Sequence, residues 1–291
     1  MSEGRVHPAL TAGARPAESV AVYSADARPR LWENLKNVVA HRELLFAIAE
    51  RDLRVRYKQT FLGAVWAVLP AVLMMVVFNI FLGRFGRSLS EGFPYPVFAY
   101  SGLIFWNYFA SVISAATGSI TGSYSIITKV AFPREILPWT RILSSGVDLL
   151  VSLSLFGVLL LVYRVDVSWT AVLAVPILAI QVILMAALAL TVAALNAHYR
   201  DVQYVVPLVL QAWMFMGPVV YSTQHISGSL RWLYGILNPM ALVIDAYRQV
   251  ILKGQVPDPR VMLGLFAGAA ALFVVCYTLF KRADRFVADV V

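Results

Sequence analysis

Residues 63–82, GAVWAVLPAVLMMVVFNIFL, run for 20 positions without a charged side chain. At about 1.5 Å per residue this makes about 30 Å of helix, the thickness of a bilayer's hydrocarbon core. Lipid offers no partner to a backbone N–H or C=O, so such a run crosses as a helix that bonds internally. Pro70 is tolerated there as a kink. Comparable apolar stretches occur at about 97–121, 142–163, 169–195, 204–221 and 261–280. The expected fold is all-α: a polytopic membrane protein with six transmembrane helices. Composition agrees, since only 14% of the residues are charged, against about 25% in soluble domains.

The first run is approached through a basic segment, ERDLRVRYKQT at 50–60, which carries Arg51, Arg54, Arg56 and Lys58. Leu45, Phe46, Ala49, Leu53 and Tyr57 share one helical face; Arg51, Arg54 and Lys58 share another, and Arg56 breaks the apolar stripe. This spacing predicts an amphipathic interface helix within 31–62, with its basic side toward anionic headgroups. It is either a plain anchor or a docking surface for a cytosolic partner. Residues 1–30 are polar and rich in Ala, Pro and Arg. They lack the apolar core of a signal peptide and read as a disordered cytoplasmic leader.

The second span opens with Tyr100, Phe105, Trp106, Tyr108 and Phe109, then turns to small residues that let helices approach closely. Asp148 lies inside the third span, where a carboxylate is either a functional group or a satisfied helix contact. Two polar connectors, at 122–141 and 196–203, join spans on one side. On the other side, 226–253 is too long for a turn and predicts two short amphipathic helices, re-entrant or interfacial. Asn238 and Pro239 supply a cap and a first-turn proline, and Gly254 a stop. Asp245 and Arg248, three apart, are placed to pair. The basic tail 281–291 closes the chain.

With six spans both termini share a side. That side holds 17 of the 24 Lys and Arg residues, so it is assigned to the cytoplasm. The net charge of +8 is thereby accounted for without nucleic acid. The single cysteine, Cys276, allows no disulfide within one chain, and the four histidines are scattered, so no metal site is expected. No phosphate-binding loop, zinc-protease motif, nucleophile elbow or dinucleotide fingerprint occurs. An enzyme and a proton-coupled carrier are disfavoured. What is left is a transport subunit that draws its energy from elsewhere.

Four stretches, in order, resemble the permeases of ABC polysaccharide exporters. They are RDLRVRYKQTFLGAVWAVLPAV before and into the first span, KVAFPREILP at 129–138, NAHYRDVQYVVP at 196–207, and LNPMALVIDAYRQVILKG at 237–254. The similarity covers roughly residues 31–291. It implies a homodimeric conduit in a bacterial inner membrane, moving lipid-linked O-antigen, capsule or teichoic-acid chains. Two copies of a cytosolic ABC ATPase would bind ATP and Mg, with no cofactor on this chain. It further implies ATPase-coupling contacts at Arg51, Asp52 and Arg54, at Pro133, Arg134 and Glu135, and at Tyr199, Arg200 and Asp201. An outer gate would involve Asn238, Pro239, Asp245 and Arg248. Candidate glycan-contacting aromatics are Tyr100, Phe105, Trp106, Tyr108, Phe109, Trp213, Phe215 and Tyr221, which serve equally well as helix packing. Rival readings are an ABC permease for a lipid or drug, a membrane-embedded glycan transferase, and a passive channel.

Overall fold

The structure is a computed structural model that describes residues 31–58, 60, 63, 65–82, 89–129, 132–222, 234–235 and 237–290. The leader 1–30 and most of the first expected far-side helix, 226–237, lie outside the described residues. Among those described, every regular element is helical. In chain order these are α1 (Leu31–Ala40), α2 (Arg42–Tyr57), α3 (Val65–Leu82), α4 (Tyr95–Thr117), α5 (Tyr124–Ile127), α6 (Ile136–Val162), α7 (Ala174–His198), α8 (Val202–Met216), α9 (Pro239–Ile251) and α10 (Pro259–Val290). Short 3-10 turns precede α5 and α7.

Five helices are long and apolar enough to cross a membrane, against the six expected. The shortfall is at 204–221. There α8 ends at Met216 after 15 residues, about 22 Å of helix, and residues 217–222 continue without helical structure. Gly217 and Pro218 break the ladder at this point. The unwound stretch is not surface loop, since Val219, Val220 and Ser222 are all buried.

Helix α4 is the axis of the molecule. It contacts α3, α6, α7, α8 and α9, and most of its span is buried. Its large side chains point in every direction and each meets a neighbouring helix, as expected for a helix without a polar face. The outer helices are one-sided by contrast: α3 buries only Ala71, leaving Leu73, Ile80 and Phe81 exposed. A second cluster lies at the other end of α4. Here Val38, Leu45 and Ile48 from α1 and α2 pack with Ile136 and Leu137 of α6, Leu190 and Ala193 of α7, and Tyr277 and Phe280 of α10. The amphipathic helix is thus a docked element. Its expected stripe is corrected at Phe46, which is 60% exposed, while Ile48 takes the inward position.

Candidate functional site

The basic junction is built from two ion pairs that tie α2 to α6. Asp52 accepts from Arg141 at 2.5 Å and from its neighbour Arg51 at 3.0 Å. One helical turn later, Arg56 and Tyr57 both donate to Asp148. The position that breaks the apolar stripe, and the carboxylate inside the third span, are therefore partners. Each answers the desolvation cost of the other. Arg54 has no part in this clamp. It is exposed and, among the described residues, pairs with Glu50, one turn back on the same helix.

The two connectors differ in kind. Glu135 is fully buried; it accepts from Tyr277 at 3.0 Å and pairs with Lys281 at 2.7 Å. Arg134 faces Asp284 at 3.4 Å. These residues fasten the start of α6 to the end of α10, so as direct contacts for a partner Arg134 and Glu135 are corrected to internal anchors. Pro133 precedes them in the same turn and offers its carbonyl to the Ile136 N–H. At the other connector Tyr199, Arg200 and Asp201 are all exposed. Asn196 shapes that turn: its Oδ1 accepts from the Gln203 N–H at 3.1 Å, and its Nδ2 reaches Thr121 Oγ1 at 3.4 Å. Asn196 and Arg141 are structural residues that sequence reasoning missed. The signal for both was a polar residue at the edge of an apolar run.

Five of the eight candidate aromatics are corrected to core. Tyr100, Phe105, Trp106, Tyr108 and Phe109 are buried within the chain because α4 is surrounded. Tyr100 donates to the Ser152 carbonyl and Tyr108 to that of Ile142. The Phe105 ring stacks on Tyr247 at 3.5 Å, and the Tyr247 hydroxyl donates to Gln181, whose amide returns to the Phe105 carbonyl. Trp213 packs edge-on against Trp106 and Phe109. Only Phe215, 54% exposed, presents most of its ring at the surface. Tyr221 lies at the unwound stretch and bonds to the Met216 carbonyl.

At the far end of α4, Arg248 on α9 is 3% exposed. The Asp245 charge acts on Arg248, but the hydrogen bonds of the guanidinium go elsewhere. The guanidinium donates to the carbonyls of Pro218 at 2.6 Å, Val219 at 2.5 Å, Tyr221 at 3.2 Å and Phe98 at 3.2 Å. It also lies 3.7 Å over the Phe98 ring. Breaking the helix at Gly217 leaves the carbonyls of Pro218, Val219 and Tyr221 outside a helix, and the planar fork of arginine collects them together with that of Phe98 from the first turn of α4. Gly102 makes room, because a Cβ there would lie 2.6 Å from Arg248 Nη2 and closer still to the Val219 carbonyl. Asp245 instead accepts from Gln249 at 2.9 Å. Asn238 caps α9 as expected, accepting the Ala241 N–H at 3.2 Å with Pro239 following. Beside this latch, Glu91 pairs with Lys253 at 2.5 Å and accepts from Ser222. Burial opposes the charge on Glu91, but the hydrogen bonds from Lys253 and Ser222 outweigh it and hold the carboxyl below its ordinary 4.5.

No cluster of metal-binding side chains occurs among the described residues. The arrangement is one of fastenings at both ends of a helical body whose long apolar helices are of membrane-spanning length. The chain belongs to the ABC-2 type transporter membrane family, which it matches over residues 43–252. It is 29% identical over 258 residues to the O-antigen export system permease protein RfbA of Myxococcus xanthus, covering 88% of this chain and 98% of that protein. A Klebsiella pneumoniae protein of the same name is 28% identical over 250 residues, covering 85% and 95%. The polysialic acid transport protein KpsM of Escherichia coli is 21% identical over 218 residues, covering 73% and 82%.

Proposed function

We propose that this chain is the membrane subunit of an ATP-driven exporter that moves a lipid-linked polysaccharide across a bacterial inner membrane. The near full-length similarity to two O-antigen permeases carries this reading. Two copies form the conduit, and two copies of a separate ABC ATPase supply the energy, binding ATP and Mg. The termini and the α2 face lie toward the cytoplasm, in keeping with the excess of Lys and Arg there. The exposed residues Arg54, Tyr199, Arg200 and Asp201 are where the ATPase presses. The anchors Asp52 and Glu135 carry its movement into α6 and α10. At the opposite face, the Arg248 latch and α9 hold the outer mouth, and Phe215 and Tyr221 are the aromatics left for the glycan.

The test joins two measurements. The tagged chain is purified from its native membrane in mild detergent and probed for a co-purifying ATPase, and the surface glycan of a deletion strain is compared with its parent. Recruitment of an ATPase together with loss of long surface glycan is expected. A chain that never recruits one, in cells whose surface glycan survives the deletion, overturns the reading.

A further inference from the structure

Helices α9 and α10 both pack against α7 but meet each other at few points. Between them lies a slot of about 890 Å³, at the upper end of the range for small-molecule sites. Leu242 and Ala246 of α9 form one wall, Leu265, Gly268 and Leu272 of α10 the other, and Leu184 of α7 the floor. The α10 wall reaches thirteen residues beyond Pro259 to Leu272, roughly 20 Å of helix. Leu263 and Phe266 beside it are exposed, so the slot opens on the surface that faces lipid. Water is poorly held on such walls, because a bound water needs about two to four polar partners. An acyl chain matches them in length and in chemistry.

The polar groups of the slot are few and decide the headgroup. Among the described residues they are Asp245, Gln249 and Asp258, and no basic side chain lines it. All three are reachable: Asp258 is exposed, and Asp245 and Gln249 are half-buried. Asp245 is already engaged, since it accepts from the Gln249 amide and lies in the field of Arg248. That bond uses a Gln249 N–H and leaves the side-chain carbonyl as an acceptor. Asp258 Oδ1 accepts the Arg260 N–H at the start of α10, which leaves its second oxygen. The slot thus has a negative, accepting mouth on an apolar body. An anionic headgroup meets like charge there. A quaternary ammonium brings positive charge but no N–H to donate, and a primary ammonium brings both. Arg260, two residues beyond Asp258, is exposed and forms no ion pair among the described residues, so the phosphate next to that ammonium finds a partner as well. We propose that the slot between α9 and α10 binds phosphatidylethanolamine, a membrane phospholipid with a primary-ammonium head, as a fixed constituent of the fold and not as cargo.

The full chain is purified in mild detergent and mixed with equal amounts of dioleoyl phosphatidylethanolamine, phosphatidylcholine and phosphatidylglycerol, which share tails and phosphate and differ in the head. Native mass spectrometry counts the lipids that each molecule retains. Retention of the ethanolamine lipid about fivefold above the choline lipid is expected, the worth of about one charged contact at a membrane surface. Asp258→Asn keeps an oxygen for the Arg260 N–H and should bring the two lipids level. Gly264→Leu combined with Gly268→Leu should abolish retention of the ethanolamine lipid. A Cβ at either position meets nothing within 4 Å, and leucine favours the helix over glycine. Equal retention of the ethanolamine and choline lipids by the parent chain means that a tail alone fills the slot, and it overturns the proposal. So does a preference that survives Asp258→Asn or the paired leucines. Retention of no lipid means that residues 223–233 or a second copy cover the slot, and it overturns the proposal too. If the paired leucines do not insert, Leu242→Trp closes the slot from α9 and carries the same expectation.

Discussion

Arg248 holds backbone that has left its helix. The carbonyls of Pro218, Val219 and Tyr221 have no regular partner, and one guanidinium answers all three. Lysine keeps the charge but not the planar fork. Arg248→Lys is therefore expected to lower the thermal stability of the purified chain, and Arg248→Met to lower it further, because truncation strands several buried acceptors at about 1–3 kcal/mol each. Gly102→Ala reaches the same latch without touching a charge. Its new methyl would press on the Val219 carbonyl, which is backbone and cannot swing aside. A loss comparable to that of Arg248→Lys is expected, read as a lower midpoint in a thermal size-exclusion assay. An unchanged midpoint for Gly102→Ala would mean that the unwound stretch is free to shift.

At the scale of elements, the basic helix and the connectors separate into gripping and presenting parts. Arg54 and Arg200 are exposed, and neither belongs to the clamp on α6. Arg54→Glu combined with Arg200→Glu is expected to leave membrane insertion intact and to reduce ATP-dependent export at least about tenfold, as reversed charge at a steered interface does. Surface glycan and membrane content of the variant give the two readings. The Glu91–Lys253 clip makes a prediction about pH. Its carboxyl is held below the ordinary 4.5, so its stabilisation is fully present above that value and is lost as pH falls through the lower folded value. As pH falls through 4.5 and below, the thermal midpoint should fall, and Glu91→Gln should flatten that part of the dependence. Hydropathy made α3, α4, α6, α7 and α10 legible, and the Asn238–Pro239 pair marked the start of α9. The end of α8 was not legible, because 204–221 is uncharged throughout and hydropathy cannot see a break whose cause is Gly217, Pro218 and an arginine thirty residues away. The aromatics of α4 stayed open between packing and passage for a related reason. A ring that packs and a ring that lines a passage have the same composition, and only burial tells them apart.

For the whole molecule, the one-sided helices set the expectation. Helix α3 is the least buried of the five long helices and the second most apolar, and Phe215 and Met216 at the end of α8 are exposed beyond it. Surface of this kind faces lipid or a second copy. Native mass spectrometry of the chain released from nanodiscs is expected to show two copies, and a single copy at every concentration would count against a shared conduit. The paired charges on α2 and α6 show how much of this was available before the fold was known. Arg56 out of place on an apolar stripe and Asp148 out of place in an apolar span are each an anomaly alone. Their separation of 92 positions hid that one explains the other.

The clamp on α2 has a mechanical meaning. Asp52 and Arg56 lie four residues apart, about 6 Å along one helix, and their partners Arg141 and Asp148 lie seven apart, about 10 Å along the other. A rod fixed at one point swivels, whereas a rod fixed at two transmits torque. With both fixings in place, α2 and this part of α6 are braced against turning relative to each other. The packing of Leu45 and Ile48 on Ile136 and Leu137 extends the same hold toward the start of α2.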